Sequence, residues 1–248
     1  MNFNLCAIVP VFRHENAVRP VLSRLASLKI FTVLVDDGNS PEARSVLQRL
    51  AGEFSNVLLV SHKKNLGKGG AVITGLREAS ARHFTHALQI DADGQHDAET
   101  IPLLIEEARK NPQSLVGSVP KYDASVPKAR KVGRKITNFW VHVETLSLKI
   151  PDAMCGLRIY PLAETVPVLS HIRALRMGFD IEILVRLSWR GVNMRFYPVR
   201  VLYPADGISN FRMFGDNAEI SLVHTRLFLG MLVRIPKILY LKIRGKCG

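Results

Sequence analysis

The sequence contains the stretch Leu88-Gln89-Ile90-Asp91-Ala92-Asp93-Gly94-Gln95-His96, an apolar run that ends abruptly in two carboxylates. The apolar part is typical of the end of a buried strand. Carboxylates at positions i and i+2 of an extended segment lie on the same side of the chain, and Mg²⁺ commonly takes one or two carboxylates plus substrate phosphates. Gln95 and His96 would add a carbonyl oxygen or an imidazole. The stretch therefore predicts either a divalent-cation site or a polar turn, in which Asp and Gly are common.

Apolar runs typical of strands alternate with amphipathic helical segments through residue 119. The predicted strands are 5–11, 31–35, 57–61, 86–90 and 115–119, and the predicted helices between them are 16–28, 41–50, 71–81 and 100–109. This alternation predicts an α/β fold with a Rossmann-like, mostly parallel sheet flanked by helices on both faces. Ligands of such sheets bind beyond the carboxyl ends of the strands. Polar clusters follow three of the predicted strands, at 10–15, 36–40 and 91–96.

The alternation stops after residue 119. We predict a basic polar loop at 120–135, helices at 135–150, 162–175 and 181–190, a strand at 192–202 and a long apolar and basic helical segment from 217 to 241. The sequence contains no internal repeat and no low-complexity linker. We therefore expect one domain, residues 1–212, followed by a basic amphipathic C-terminal helical appendage, residues 213–248.

The composition is that of a folded protein with an anionic partner. Of the 248 residues, 47% are hydrophobic and 22% are charged, which excludes a disordered chain. The 34 Lys and Arg against 21 Asp and Glu give a net charge of +13. This excess favours nucleic acid, a phosphorylated substrate or an acidic membrane surface. Only 7% of residues are aromatic and no nucleic-acid-binding motif is present, so a nucleic-acid partner is not expected.

Cysteine usage and hydropathy favour the cytoplasm. The three cysteines, Cys6, Cys155 and Cys247, are far apart and form no CxxC pair, so neither a disulfide framework nor a zinc site is predicted. The apolar run 5–12 reads as a strand and not as part of a signal peptide. We find no uninterrupted apolar stretch of the roughly 18 residues that a spanning helix needs. The sequence leaves the oligomeric state open.

The segment from residue 217 onward has no acidic residue after Glu219 and carries several cations among Leu, Ile, Phe and Met. A basic amphipathic segment of this kind can lie on an anionic membrane. The alternative is a helix that packs on the domain or on a partner protein. The charge pattern favours the membrane, with the protein peripheral at its inner face.

The other polar clusters each allow two readings. Residues 36–38, Asp-Asp-Gly, can accept hydrogen bonds from a base or a ribose, or they can be a turn with a helix cap. Residues 65–70, Asn-Leu-Gly-Lys-Gly-Gly, match neither a Walker loop nor GxGxxG; they form a phosphate site at a helix N-terminus or a tight turn. The cations of the basic loop at 120–135 can offset negative charge that develops on a leaving group, or they can simply face solvent. Asp152, Asp180 and Glu182 are candidate general bases or else caps and ion-pair partners.

Five segments resemble, in order, the motifs of family 2 glycosyltransferases. They are Val9-Pro10-Val11-Phe12, Val35-Asp36-Asp37-Gly38, residues 65–71, residues 91–96, and Asp152-x-x-Cys155-Gly156-Leu157-Arg158, which resembles a D-x-x-[SC]-G-x-R element. The match is closest to the branch of dolichol-phosphate mannose synthases and related polyprenyl-phosphate glycosyltransferases. The resemblance is specific over residues 5–160 and looser beyond.

The resemblance implies a GT-A fold, a nucleotide-sugar donor, Mg²⁺ or Mn²⁺, and inversion at the anomeric carbon. It implies a nucleotide-sugar site at Pro10, Phe12, Glu15, Asp37, Lys68 and Asp91, a metal held by Asp91, Asp93 and Gln95, a catalytic carboxylate at Asp152 and an acidic acceptor-side residue at Glu182. Many relatives read Gly-Ser-Arg where this chain has Gly-Ser-Val at 117–119. Lys121, Arg130 or Arg134 would replace the missing phosphate-binding arginine, and Arg212 would reach an acceptor phosphate.

These observations together predict a metal-dependent, inverting glycosyltransferase that acts on a lipid-linked or lipid-like acceptor at the membrane surface. One alternative is a sugar-nucleotide nucleotidyltransferase of similar fold, which would need a glycine-rich N-terminal loop that residues 10–15 lack. A second alternative is a catalytically silent scaffold or binding subunit. The intact pair Asp91 and Asp93 argues against silence.

Overall fold

The computed structural model of the chain describes residues 3–95, 98–121, 128–200 and 212–244. The strands are β1 (Leu5–Val11), β2 (Phe31–Asp36), β3 (Val57–Ser61), β4 (His86–Gln89), β5 (Leu115–Lys121), β6 (Arg158–Pro161) and β7 (Met194–Arg200). The helices are α1 (Val18–Ser27), α2 (Pro41–Glu53), α3 (Lys68–Ala81), α4 (Ile101–Lys110), α5 (Lys128–Thr145), α6 (Leu162–Thr165), α7 (Phe179–Ser188) and α8 (Met213–Ile243). Two short 3₁₀ segments lie at Ala98–Thr100 and Val166–His171.

The strands form one seven-stranded sheet in the order β3-β2-β1-β4-β6-β5-β7. β1 pairs in parallel with β2 and β4, β2 with β3, and β5 with β7, whereas β6 runs antiparallel to both of its neighbours. The carboxyl ends of β1, β2 and β4 therefore meet at one edge of the sheet. The predicted α/β class, the mostly parallel sheet and the C-terminal helix are confirmed.

Both faces of the sheet are buried, as the continuous apolar strands indicated. In β1, Cys6 and Ile8 belong to the core cluster that contains α3 and α7, whereas Ala7 and Val9 belong to the cluster under α1 and α4. Each buried Leu, Ile or Val side chain contributes about 1.5–3 kcal/mol relative to exposure. The helices α1 to α4 have 10 to 14 residues, and isolated helices of that length are marginally stable in water. Packing against the sheet, and not helix propensity, therefore stabilises them.

Two predictions beyond residue 119 are wrong. The segment 120–135 is not a loop throughout, because β5 extends to Lys121 and α5 begins at Lys128. The segment 162–175 is not one helix: α6 has four residues, a 3₁₀ turn follows and Ile172 is extended. Pro167 lies in the 3₁₀ segment, and a proline has no N–H to donate to an α-helical ladder.

The helix α8 packs on the domain by one face. Ile220, Val223, Leu227, Met231 and Ile238 are buried in the core cluster that also contains α3 and α7. His224 Nδ1 lies 2.8 Å from Oε1 of Glu144, a fully buried residue of α5. No helix in the described ranges combines the length and the apolar character that crossing a bilayer requires. The division of the chain at residue 212 stays a prediction about domain organisation.

Candidate functional site

The carboxyl end of β2 carries two buried aspartates that organise the neighbouring loops. Asp36 accepts hydrogen bonds from the backbone and side chain of Asn39 and from Arg44. Asp37 accepts from the backbone N–H groups of Leu66 and Gly67, 2.9 and 2.8 Å away. These bonds tie the end of β2 to the start of α3 and bring the glycine-rich loop to the carboxyl edge of the sheet.

A lysine at the first turn of α3 lies between two carboxylates at this edge. Lys68 Nζ is 2.9 Å from Oδ1 of Asp91, which follows β4, and 3.1 Å from Oδ2 of Asp180 on α7. Burial alone would lower the pKa of Lys68, but the charges of Asp180 and Asp91 outweigh burial and hold it above its usual range. Lys68 is therefore a permanent cation at the point where the sequence predicts the donor.

Gly156 leaves the space in which this cluster lies. A Cβ added there would come 2.6 Å from Lys68 Nζ and 2.9 and 3.1 Å from the two carboxylate oxygens of Asp91. Cβ atoms essentially never come within 3.0 Å of another atom, so a side chain at 156 would displace both the Lys68 ammonium and the nearer Asp91 oxygen. The backbone after Asp152 thus forms one wall of the site.

A buried polar network holds Asp180, one of the two carboxylates that contact Lys68. Arg158, which is fully buried, donates from Nη1 to the carbonyl of Asp180 at 2.8 Å and from Nη2 to the carbonyl of Ala153 at 2.7 Å. Gln89 Nε2 donates to Asp180 Oδ1 at 3.2 Å, and Gln89 Oε1 accepts from the Tyr160 hydroxyl at 2.8 Å. Burial raises the pKa of Tyr160 to about 12, so its hydroxyl stays a donor. The network fixes Asp180 through its carboxylate and its backbone.

The three candidate general bases are all engaged on both carboxylate oxygens. Asp152 Oδ1 accepts from the N–H groups of Met154 and Cys155 at 2.9 and 2.7 Å, and its Oδ2 lies 2.6 Å from Nη1 of Arg134. Asp180 is held by Lys68 and by the network described above. The catalytic roles of Asp152 and Asp180 stay predictions, but neither carboxylate resembles a free base.

Glu182 lies two residues further along α7 and anchors a neighbouring segment. Its Oε2 accepts from the N–H groups of Arg173 and Ala174 at 2.9 and 2.8 Å, and its Oε1 is 2.6 Å from Nη2 of Arg186. Glu182 is 2% exposed, so little of it is available to an acceptor. Its predicted acceptor-side role is untested.

The residues after β4 fit a divalent cation that substrate oxygens complete. Asp91 and Asp93 are partly exposed, and Asp93 Oδ1 accepts from the N–H of Gln95 at 3.0 Å. Carboxylate oxygens are the donors that Mg²⁺ and Mn²⁺ prefer, so this pair of side chains suits such a cation. Within the described ranges, no three His, Cys, Asp or Glu side chains group to hold a metal by themselves. His96 lies outside those ranges.

The predicted nucleoside pocket begins at the carboxyl end of β1. Pro10 lies in β1 beside Val35 of β2, and the Arg13 guanidinium stacks 5.1 Å from the Phe12 ring centroid. In the described part of the chain, Oε2 of Glu15 is a buried carboxylate oxygen without a hydrogen-bond partner. A base or ribose donor would satisfy it. Asp37 has its oxygens engaged by the protein, so its predicted nucleoside contact would be an additional bond.

The predicted phosphate-binding cations are not all brought together. Arg134 points into the site through its ion pair with Asp152. Lys121 is exposed at the end of β5, and Arg212 is exposed where α8 begins, with its N–H bonded to Asp216. The side chain of Arg130 lies outside the described part of the chain. The roles of all four cations stay predictions.

Sequence reasoning missed the supporting network. Gln89, Arg158 and Tyr160 are polar residues in strands that are otherwise apolar, and this was an available signal, together with the place of Arg158 in the D-x-x-[SC]-G-x-R element. A buried polar group must have a partner, so such positions indicate a network even when the partners are unknown.

Comparisons with known proteins agree with this geometry. The sequence profile of glycosyl transferase family 2 matches residues 6–161. A UDP-N-acetylglucosamine--dolichyl-phosphate N-acetylglucosaminyltransferase of Methanococcus voltae is 25% identical over 213 residues, which cover 79% of this chain and 84% of the relative. An undecaprenyl-phosphate mannosyltransferase of Micrococcus luteus is 26% identical over 199 residues, covering 77% and 81%.

The fold also matches solved structures. Glucosyl-3-phosphoglycerate synthase from Mycobacterium tuberculosis, in complex with Mn²⁺, UDP-glucose and phosphoglyceric acid, superposes with a TM-score of 0.59 at 14% identity and covers 94% of this chain and 80% of that chain. At this identity the likeness shows the fold, which is the predicted GT-A type. The profile covers more than half of the sequence. The two relatives are named as transferases of the polyprenyl-phosphate branch, which is the branch that the motifs indicated. The chain therefore belongs to glycosyl transferase family 2 and is a nucleotide-sugar-dependent glycosyltransferase.

Proposed function

We propose that this protein transfers a sugar, with inversion at the anomeric carbon, from a nucleotide-sugar donor to the phosphate of a lipid-linked acceptor at a membrane surface. The observation that carries the proposal is that the candidate bases are already hydrogen-bonded or ion-paired within the protein. Asp152, Asp180 and Glu182 each accept from donors on both carboxylate oxygens. An alcohol acceptor needs a base to remove its proton. A lipid phosphate is already anionic and needs none.

The donor end of the site suits a nucleoside diphosphate. In this proposal Glu15, which has an unpartnered buried oxygen, and Phe12 would contact the nucleoside, and the ion pair of Lys68 and Asp91 would receive the diphosphate. A divalent cation held by Asp91 and Asp93 would neutralise charge that develops on the departing diphosphate. The acceptor oxygen attacks the anomeric carbon from the face opposite the leaving group, so one carbon–oxygen bond forms as the other breaks and the configuration inverts.

The acceptor end combines a cation and an apolar surface on one helix. Arg134 on α5 contacts Asp152, whereas Val132, Ile136 and Phe139 lie along the opposite face of α5 and are 55–60% exposed. Residues at i, i+4 and i+7 share one face of a helix. A lipid phosphate next to Arg134 would therefore lie one helix diameter away from an apolar surface that suits its acyl or prenyl chain.

The outward face of α8, a helix that packs against α5, is a second apolar surface. Leu222, Leu229, Val233 and Tyr240 lie on one stripe of α8, opposite the buried face, and Val233 is 81% exposed. Trp140 of α5 stacks edge-on with Phe228 of α8 at 6.0 Å, which joins the two helices. The exposed cations Arg226, Arg234, Lys237 and Arg244 accompany the stripe. Apolar side chains flanked by cations favour an anionic bilayer surface.

A reconstituted transfer assay tests the proposal. The purified protein is incubated with UDP-, GDP- or dTDP-sugars, Mn²⁺ or EDTA, and vesicles that carry a polyprenyl phosphate. We expect one donor to give a mass increase of one sugar on the lipid, lost in EDTA. Transfer to a neutral polyprenol but not to the phosphate, or no transfer and no nucleotide binding by the folded protein, would contradict the proposal.

Vesicle flotation tests the membrane surface separately. We expect binding to phosphatidylglycerol vesicles and weak binding to phosphatidylcholine vesicles. The double variant Leu229→Asp and Val233→Asp should lose binding. Its matched control, Ser45→Asp and Gln48→Asp on exposed positions of α2, adds the same charge elsewhere and should bind as the parent does. Equal binding by both variants would exclude the α8 surface.

A further inference from the structure

We propose that Lys68 makes divalent-cation binding depend on the donor, because its ammonium is the counter-ion of Asp91 until a diphosphate arrives. The proposal rests on the proposed function only for the identity of the donor as a nucleotide sugar. It concerns a positioning role for Lys68 that goes beyond contact with the donor.

The geometry makes the ammonium and a metal ion competitors for one carboxylate. Lys68 Nζ lies 2.9 Å from Oδ1 and 3.1 Å from Oδ2 of Asp91, so it approaches both oxygens that a cation would use. Gly156 packs against the same ion pair: a Cβ at this position would lie 2.6 Å from Lys68 Nζ. A metal ion on Asp91 would therefore lie next to a like charge, which opposes its binding.

A second carboxylate keeps Lys68 in the site when it leaves Asp91. Asp180 Oδ2 is 3.1 Å from Lys68 Nζ, and Asp180 itself is held by Gln89 and by the fully buried Arg158. Lys68 can thus turn from Asp91 towards an incoming phosphate without losing its ion pair to Asp180. The carboxylate that it releases then becomes available to the cation.

The donor supplies what the free protein lacks. A diphosphate brings negative charge that pairs with Lys68, and it brings oxygen ligands that complete the shell of a cation on Asp91 and Asp93. The described side chains alone do not group three metal ligands. Cation and donor should therefore bind with positive coupling, and the coupling should depend on Lys68.

An ordinary structural ion pair predicts something different. If Lys68 only stabilises the fold, replacing it would lower the unfolding temperature and leave the coupling between cation and nucleotide unchanged. If Lys68 only contacts the diphosphate, replacing it would weaken nucleotide binding and leave Mn²⁺ binding to the free protein unchanged. Only the counter-ion role predicts tighter Mn²⁺ binding in its absence.

Electron paramagnetic resonance of free Mn²⁺ measures this without any turnover. Mn²⁺ is titrated into the full chain, alone and with saturating UDP or GDP. We expect the nucleoside diphosphate to tighten Mn²⁺ binding of the parent protein by more than tenfold. Lys68→Met should tighten Mn²⁺ binding to the free protein by about tenfold and reduce the coupling. Lys64→Met, the same change at an exposed position of the loop before α3, should behave as the parent does.

Several outcomes would overturn the inference. Unchanged or weaker Mn²⁺ binding in free Lys68→Met would do so. If that variant fails to fold, Lys68→Arg is measured instead. It keeps the charge and should keep the coupling, so a loss of coupling in Lys68→Arg would refute the inference. A parent protein whose Mn²⁺ affinity does not change when nucleotide is bound would also refute it. Nucleotide binding without coupling contradicts this inference alone, whereas no binding of any nucleoside diphosphate contradicts the proposed function as well.

Discussion

Replacing Asp37 by Asn separates a structural role of this residue from a role in nucleoside binding. Asp37 is 2% exposed. Its Oδ1 lies 2.9 Å from His62 Nδ1 and from the N–H of Leu66. Its Oδ2 accepts from Asn65 Nδ2 and from the N–H of Gly67, both at 2.8 Å. The carboxylate thus gathers four polar groups from the segment that leads into α3.

The expected cost follows from the number of acceptors. An Asn side chain has one oxygen, so it can keep one of the two pairs of bonds, and its NH₂ group then faces two donors. Each buried donor without an acceptor costs about 1–3 kcal/mol, which gives about 2–6 kcal/mol in total. A change of His62 to the tautomer that accepts at Nδ1 would relieve one of the two and move the result towards the lower figure. For a chain of this size the unfolding temperature should fall by about 4–24 °C.

Two measurements on the same variants decide the matter. Thermal unfolding followed by far-UV circular dichroism gives the stability, and calorimetric titration with the nucleotide that binds the parent gives the affinity. The control Asn65→Ala removes one donor and leaves the carboxylate, so it should cost about 1 kcal/mol. If Asp37→Asn unfolds within 2 °C of the parent, on the order of the smallest shift that 1 kcal/mol gives, and binds nucleotide at least tenfold more weakly, the reasoning is refuted and Asp37 belongs to the nucleoside pocket.

Three further changes test other parts of the structure. Gly156→Ala should weaken nucleotide binding in Mn²⁺ by at least about tenfold in calorimetry, because its Cβ would meet the flexible tip of Lys68 and the carboxylate of Asp91, while the unfolding temperature should change little. Burial lowers the pKa of His86, so the unfolded chain binds its proton first and the stability in urea should fall as the pH drops below about 6.5; His86→Gln should remove that part of the pH dependence. Glu182→Ala should lower the free energy of unfolding by about 2–6 kcal/mol in a urea titration, because it leaves two N–H groups without their acceptor and removes the ion pair of the partly buried Arg186.

The first half of the fold was predictable because each element carries its own signal. The strand β1 is a continuous apolar run, and α1 buries Val18, Val21, Leu22 and Leu25 at helical spacing. Period and burial are local properties of a sequence, and the rule that ligands bind at the carboxyl ends of parallel strands then brought Asp37 and Asp91 to one edge. Lys68 and Asp91 do lie in contact there.

The second half depends on partners that are far away in sequence. The strand β6 has four residues, two of which are Arg158 and Tyr160, and their polar groups bond to Gln89, Ala153 and Asp180. No local pattern predicts a strand whose side chains depend on contacts between distant segments. In α5, the cations hid an apolar repeat at Val132, Ile136 and Phe139, because a charge run suggests a loop.

The acidic residues of α8 lie near its start, and its cations lie in the later turns. Its acidic residues, Asp216 and Glu219, lie in the first two turns, where the helix dipole favours negative charge. Asp216 pairs with Arg176 at 2.8 Å, and Glu219 accepts from the N–H of Arg176 and of Gly178 at 3.2 Å. These bonds attach the start of the helix to the segment before α7.

The same segment supports the donor side of the site. The carbonyl of Leu175 accepts from the N–H of Gly70 at 2.9 Å, and a Cβ on Gly67 would come 2.7 Å from Cγ of Arg176. The start of α3, which carries Lys68, therefore rests on residues that the acids of α8 hold in place. Arg226, Arg234 and Lys237 of the later turns are exposed. The helix that would face an anionic surface is thus bonded, through its acidic residues, to the segment that contacts the start of α3.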